Sequence, residues 1–239
     1  MKKQTKNTIF MIAVLVILIG SLVALSILTK EQKKTNSANQ PNQTAAKEHK
    51  ANGLSLEKQP VIGKKDAPVT MILFSDFSCP HCSLFDKTVL PKIKSDLVDK
   101  GKAKLYFINF PFINASSTVA ASASEAVFKQ NPKEFYEFYR GVYNLQPPTE
   151  ANTTWANTKT MTNLAKKLKL DIDYKKLEKD ISSNAYIDEV NQDLAEGQAI
   201  GVSGTPALII GNTNVDPTDY EAIKKQVDSL AKKAKKNNE

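Results

Sequence analysis

Hydrophobic and polar positions fall into three regimes along the 239 residues. From Ile9 to Leu28 the chain is uncharged, mostly apolar and free of Pro, with Gly20 as its single glycine. About twenty such residues, rising ~1.5 Å each, match a ~30 Å hydrocarbon core, so residues 1–28 are expected to form one membrane anchor. The small-x-small triplet Ala24-Leu25-Ser26 lies inside the run rather than after it, which favours an uncleaved anchor over a signal peptide. From Thr29 to about Asn52, Lys, Asn, Gln, Thr and Ala dominate. That segment has too little apolar surface to offset the entropy of ordering, so 29–53 is expected to be a flexible linker.

A folding pattern begins near Leu54. Val69-Thr70-Met71-Ile72-Leu73-Phe74 is a nearly unbroken apolar run with β-branched members, the signature of a strand buried on both faces. Leu84, Phe85, Val89, Leu90, Ile93 and Leu97 then recur at helical spacing, with Pro91 as an expected kink. Ala103–Phe110 predicts a second strand closed by Pro111, giving a β-α-β unit. Helical patterns fill 116–198: Ser117–Gln130, an aromatic-faced Pro132–Leu145, Thr160–Leu170, Tyr174–Asn184 and Tyr186–Gln198. Strand character returns at Pro206–Ile210, and Gly211-Asn212 signals a turn to a short partner near Val215. Asp216 or Thr218 is expected to cap a last helix through Ile223, Val227 and Leu230. The expected fold class is α/β: one domain over 54–239, an open sheet with a helical insertion at about 116–198.

Charge changes this picture little. The formal net charge of +8 is concentrated at the ends: residues 1–50 hold eight Lys against Glu31 and Glu48, and 224–239 hold six Lys against Asp228 and Glu239. The middle of the chain is slightly acidic, so no nucleic-acid partner is expected, while basic ends suit an anionic membrane surface. Lysines on both sides of the apolar run nearly balance, and the short N-terminal tail favours exporting the long domain. The expected location is therefore the cell membrane, single-pass, with the globular domain outside the cytoplasm.

The candidate chemistry is compact. The only two cysteines, Cys79 and Cys82, stand three apart at the junction between the first strand and its helix. A disulfide there closes a ring too small to stabilise the chain much, which argues for redox exchange over a structural staple. At a helix N-cap the Cys79 sulfur meets unpaired N–H groups and the positive end of the dipole, which favour its thiolate. Pro80 suits the first helical position, and His81 can add a donor or a charge, so both are expected to tune the redox pair. Cys82, one turn in, is placed to resolve a mixed disulfide. A zinc or copper site would have only His81 and the distant His49 to add, so no metal and no cofactor are expected.

The segments Phe74-Ser75-Asp76-Phe77-Ser78-Cys79-Pro80-His81-Cys82, Phe110-Pro111 and Gly201-Val202-Ser203-Gly204-Thr205-Pro206 resemble the DsbA-like branch of the thioredoxin superfamily. In plan the chain is similar to membrane-anchored BdbD-type oxidoreductases of bacterial envelopes. The resemblance implies that Pro206 is a cis-proline facing the disulfide, with Thr205 offering backbone groups to an extended substrate. It implies an oxidase that donates the Cys79–Cys82 disulfide to unfolded or partly folded exported proteins with free thiols. It also implies reoxidation by a quinone-linked membrane protein. An anchored reductase or isomerase, and a peptide-binding or chaperone module without turnover, are the alternatives. One departure stands out: many family members carry a buried acid six residues before the first cysteine, where this chain has Leu73. Asp76, read as a loop residue, is a poor substitute.

Overall fold

The computed structural model describes residues 54–148 and 153–236. The anchor and the linker expected from the sequence lie outside these residues. Among the described residues no helix is long and apolar enough to cross a membrane.

Five strands form one mixed sheet: β1 (Val61–Ile62), β2 (Val69–Ser75), β3 (Ala103–Asn109), β4 (Ala207–Ile210) and β5 (Thr213–Val215), in the order β1-β3-β2-β4-β5. Central β2 pairs parallel with β3, from Val69 opposite Ala103 to Ser75 opposite Asn109. On its other side it pairs antiparallel with β4, from Met71 opposite Ile210 to Phe74 opposite Ala207. Alternation sends Val69, Met71 and Leu73 into one apolar core and Ile72 and Phe74 into another, which is why this strand reads as a continuous hydrophobic run. The two-residue edge strand β1, antiparallel to β3, was not among the expected elements. Two residues carry no alternation to detect.

Helices fill both faces. After β2 come α1 (Pro80–Thr88) and the short α2 (Leu90–Ile93), continued by a π-helical turn over Lys94–Val98. The break falls at Val89, just ahead of Pro91, whose ring and missing N–H cannot continue the first helix. Phe85, Val89, Leu90, Ile93 and Leu97 are buried as their spacing predicts, whereas Leu84 is exposed. Between β3 and β4 lie α3 (Ala115–Gln130), α4 (Phe135–Leu145), α5 (Thr158–Lys167), α6 (Tyr174–Ser182) and α7 (Ile187–Ala199). Asn114 opens α3 with a capping box, accepting from the backbone N–H groups of Ser116 and Ser117. The aromatic face of α4 is core: Phe135, Phe138, Tyr139 and Tyr143 are buried, with Phe107 of β3 against Tyr139 at 4.8 Å between ring centroids. Gly197 lets α7 lie close to the sheet, because a Cβ there would meet the Phe110 ring at 2.8 Å.

The final helix, α8 (Tyr220–Lys236), corrects one expectation. Asp219, rather than Asp216 or Thr218, accepts from the backbone N–H of Ala222 in its first turn at 2.9 Å. Asp216 instead receives the N–H and hydroxyl of Thr218 and shapes the turn before the helix.

Candidate active site

Cys79 occupies the N-cap of α1 in extended conformation, with Pro80 at the first helical position. Its backbone N–H donates to the carbonyl of Asp76 at 3.0 Å, so the chain turns sharply out of β2 and delivers the sulfur to the helix end. Cys79 is 4% and Cys82 2% exposed, while Pro80 and His81 face solvent. Both cysteines are free thiols in this structure.

The Thr205–Pro206 peptide bond is cis and leads into β4, next to the sulfurs. The Cys79 thiol donates to the Thr205 carbonyl at 3.3 Å. The Thr205 hydroxyl is buried without a partner of its own and is available to the sulfur once Cys79 ionises. Segments 126 residues apart in sequence thus meet at one atom.

The two thiols have opposite acidities. Cys79 is lowered from its ordinary value to about 6, chiefly because the Cys82 thiol donates to its thiolate; burial opposes this. The Thr205 side chain and the backbone N–H groups of Cys82 and His81 add further stabilisation. The contribution from His81 thus comes through its main chain. Cys82 is pushed well above its ordinary range, first by burial and then by its bond to Cys79 and the negative charge there. Such an arrangement holds one ready nucleophile or leaving group at the end of the helix and one protected thiol behind it.

The support around the motif was largely missed from sequence. Asp76 is 1% exposed, and its carboxylate accepts from the backbone N–H of Ser78 at 2.7 Å, Phe112 at 2.8 Å and Ile113 at 3.1 Å. It pins the turn before Cys79 to the segment after β3. Tyr143 donates to the Asp76 carbonyl at 3.2 Å, Gln146 to the Phe77 carbonyl at 2.8 Å, and Trp155 to the Ser78 hydroxyl at 3.3 Å. The helical block therefore holds each residue from Asp76 to Ser78. Apart from the Asp76–Ser78 bond, these pairs are separated by 36 to 77 residues, beyond the reach of any local pattern.

A second buried polar group lies away from the sulfurs. Asp193 of α7 accepts from the side chain of Gln59 at 2.6 Å and from the backbone N–H of Asn109 at 3.1 Å, and the Asn109 amide also donates to Glu125 at 2.9 Å. Burial raises both acids, Asp193 to about 6 and Glu125 to about 8. This group ties α3 and α7 to the end of β3. Among the described residues no cluster of three or more His, Cys, Asp or Glu side chains is close enough to hold a metal ion.

A thioredoxin-like sheet with Cys-Pro-His-Cys opening its first helix against a cis-proline turn defines the class of thiol-disulfide oxidoreductases. A family described as Thioredoxin matches residues 55–229. A probable disulfide bond formation protein D from Bacillus anthracis is 35% identical over 232 residues, covering 97% of this chain and 98% of that protein. The disulfide bond formation protein D of Bacillus subtilis is 33% identical over 179 residues, covering 74% of this chain and 79% of its own. The crystal structure of oxidised BdbD from Bacillus subtilis matches with a TM-score of 0.72 at 32% identity, over 78% of this chain and 100% of that one. The chain belongs to the thioredoxin family, in its DsbA-like branch and among the BdbD-type disulfide bond formation proteins.

Proposed function

We propose that this thiol-disulfide oxidoreductase works as an oxidase, donating a Cys79–Cys82 disulfide to exported proteins that still carry free thiols. A substrate thiolate attacks the Cys79 sulfur, the disulfide breaks, and Cys82 leaves as a thiolate that takes up a proton. A second substrate thiolate then attacks the substrate sulfur of this mixed disulfide. The substrate disulfide forms, Cys79 leaves as its stabilised thiolate, and two electrons have passed to the pair. Pro80 and His81 tune the pair, and Thr205 and Pro206 bind the substrate backbone, where proline leaves no N–H to close the edge.

The observation that carries this direction is the stabilised Cys79 thiolate, bonded by the Cys82 thiol and the Thr205 side chain. Those interactions exist only in the reduced form, so they draw electrons into the pair and make its disulfide a strong donor. The apolar residues near the motif fit unfolded substrates. Leu84 and Phe112 are more than half exposed: Leu84 stands two residues after Cys82, and Phe112 is bonded through its backbone to Asp76.

The setting belongs to the same proposal: a single N-terminal anchor over 1–28, a linker over 29–53, the domain outside the cytoplasm and a quinone-linked membrane protein as reoxidant. Equilibration of the Cys79–Cys82 pair against glutathione buffers tests the direction. A potential towards the roughly −120 mV of the strongest oxidants supports an oxidase, and one near the roughly −270 mV of thioredoxin overturns it. Protease treatment of cells stripped of their wall tests the setting. Release of the domain by cleavage within 30–52 supports it, and a domain protected inside intact cells refutes it.

A further inference from the structure

Thiol-disulfide exchange at this pair has a proton to place. When Cys82 attacks a mixed disulfide it must lose its proton inside the protein, and when it is expelled it must regain one. The β2 position six residues before Cys79 carries Leu73, which is fully buried in the core and has no proton to exchange. The motif helix carries the titratable group instead. Asp86 lies four residues after Cys82 on α1, and both are among its buried positions, with Asp86 at 0% exposure. Residues so spaced on a helix stand on one face with Cβ atoms about 5–6 Å apart, which is within the span of a single relaying water.

A carboxylate buried so completely is costly unless donors satisfy it. Asp86 is poorly satisfied. Arg140 of α4 brings its Nε to 3.3 Å from the carboxylate, yet neither Asp86 oxygen nor that Nε makes a well-directed hydrogen bond. Burial pushes Asp86 up to about 6, and the Arg140 charge restrains the rise. The other groups around it are Tyr136 and Tyr139 on α4 and Lys87 beside it on α1. Tyr136 keeps a buried hydroxyl without a partner, and Tyr139 donates to Ser75 at 3.1 Å. Burial holds Tyr139 protonated, and it feels the charge of both Cys82 and Asp86, so the three share one electrostatic neighbourhood. A structural ion pair gains nothing from such loose geometry.

We propose that Asp86, restrained by Arg140, holds the proton that Cys82 exchanges during each catalytic cycle. In ring closure the Cys82 S–H bond breaks and its proton passes to the Asp86 carboxylate. The Cys82 thiolate then bonds to the Cys79 sulfur and the partner thiolate leaves. In ring opening the same carboxylic acid returns the proton to the departing Cys82. No electron passes through Asp86, so the assignment holds whichever way the protein drives its substrates, and it stands apart from the oxidase reading. Closure needs the carboxylate and therefore speeds up as pH rises through the Asp86 titration, while opening needs the acid and slows over the same range.

The test follows the full-length reduced protein as it reacts with oxidised glutathione. Samples are acid-quenched, and the glutathione mixed disulfide on Cys79 is counted by mass spectrometry. Its formation reports Cys79 and its decay reports Cys82. Asp86→Asn is expected to leave formation within about twofold and to slow decay roughly 100-fold at pH 7, the low end for a positioned acid–base group. The inflection of decay near pH 6 should vanish, and Asp86→Glu should restore it. Equal decay rates in the variant and the parent, or equal slowing of both steps at every pH, would overturn the assignment. If Asp86→Asn fails to fold, Arg140→Gln decides: losing the cation must move the inflection to higher pH, and an unmoved inflection refutes the proposal.

Discussion

The Cys79 thiol and the Thr205 carbonyl meet at 3.3 Å, joining the N-cap of α1 to the cis-proline turn ahead of β4. One sulfur therefore senses three sources of polarity: the Cys82 thiol, the Thr205 residue and the N–H groups of the first helical turn. Their order of strength yields a graded prediction. In the reduced protein Cys79 should alkylate with a midpoint near pH 6, while Cys82 stays protected. Cys82→Ala should raise that midpoint most, because it removes the leading donor, and Cys82→Ser should raise it less. Thr205→Val should have a smaller effect. His81→Ser should have the smallest, since the backbone N–H survives the change. Iodoacetamide rates followed across pH by mass spectrometry give the four midpoints, and a His81→Ser shift larger than that of Cys82→Ala would contradict this ordering.

The same interactions link redox state to stability. Cys79 has a folded pKa below its unfolded value, so its thiolate stabilises the reduced fold fully above the unfolded thiol pKa. That stabilisation declines as pH falls and is lost as it passes through about 6. A tenfold gain in thiol acidity corresponds to about 1.4 kcal/mol, and the Cys79–Cys82 ring is too short for its disulfide to offset more than part of the total. Reduction should therefore raise the melting temperature at pH 7.5 and give no gain at pH 5, where Cys79 is protonated. Calorimetry of both forms at the two pH values checks this, and an oxidised form that melts higher at pH 7.5 would count against the oxidase reading.

Much of this architecture is legible in the residues. The apolar run Val69–Phe74, the cysteine pair directly after it and the strand beyond Pro206 locate the sheet and the sulfurs, because each signal is local. What escapes is non-local or too short. Val61–Ile62 forms β1 only because β3 offers it an edge. Asp76 reads as a loop residue, yet the N–H groups it satisfies at Phe112 and Ile113 lie 36 and 37 residues away. Asp86 interrupts the apolar stripe of α1, and a carboxylate in a helical pattern ordinarily marks the solvent face. Its charged neighbour in the core is Arg140 of α4, which no spacing along the chain reveals.

Asp76 supplies a prediction separable from catalysis. Asp76→Ala strips the acceptor from three backbone N–H groups, and the partly buried site gives water little access to replace it. A loss of about 3 kcal/mol is expected, which for a domain of this size lowers the melting temperature by roughly 6–12 °C. Asp76→Asn keeps one amide oxygen and should fall between. Hydrogen exchange should quicken first at Ser78, Phe112 and Ile113, and protection unchanged at those amides would refute the clamp.

The apolar rim supplies the last prediction, which separates substrate capture from thiol chemistry. Leu84 is 57% and Phe112 52% exposed, so each keeps apolar area that an unfolded chain can cover. At about 25 cal/mol per Å², covering some 50 Å² on each is worth roughly 1 kcal/mol per side chain. The double variant Leu84→Ser, Phe112→Ser should therefore raise KM for a reduced, unfolded protein about tenfold to thirtyfold. Glutathione is a small polar tripeptide with little apolar surface to lay on the rim, so its rate should stay within about twofold. Neither side chain helps set the acidity of Cys79, and the alkylation midpoint should not move. A parallel loss on glutathione and on protein would mean that the substitutions disturb α1 itself. An unchanged KM for the unfolded protein would leave the substrate held by the Thr205–Pro206 edge alone.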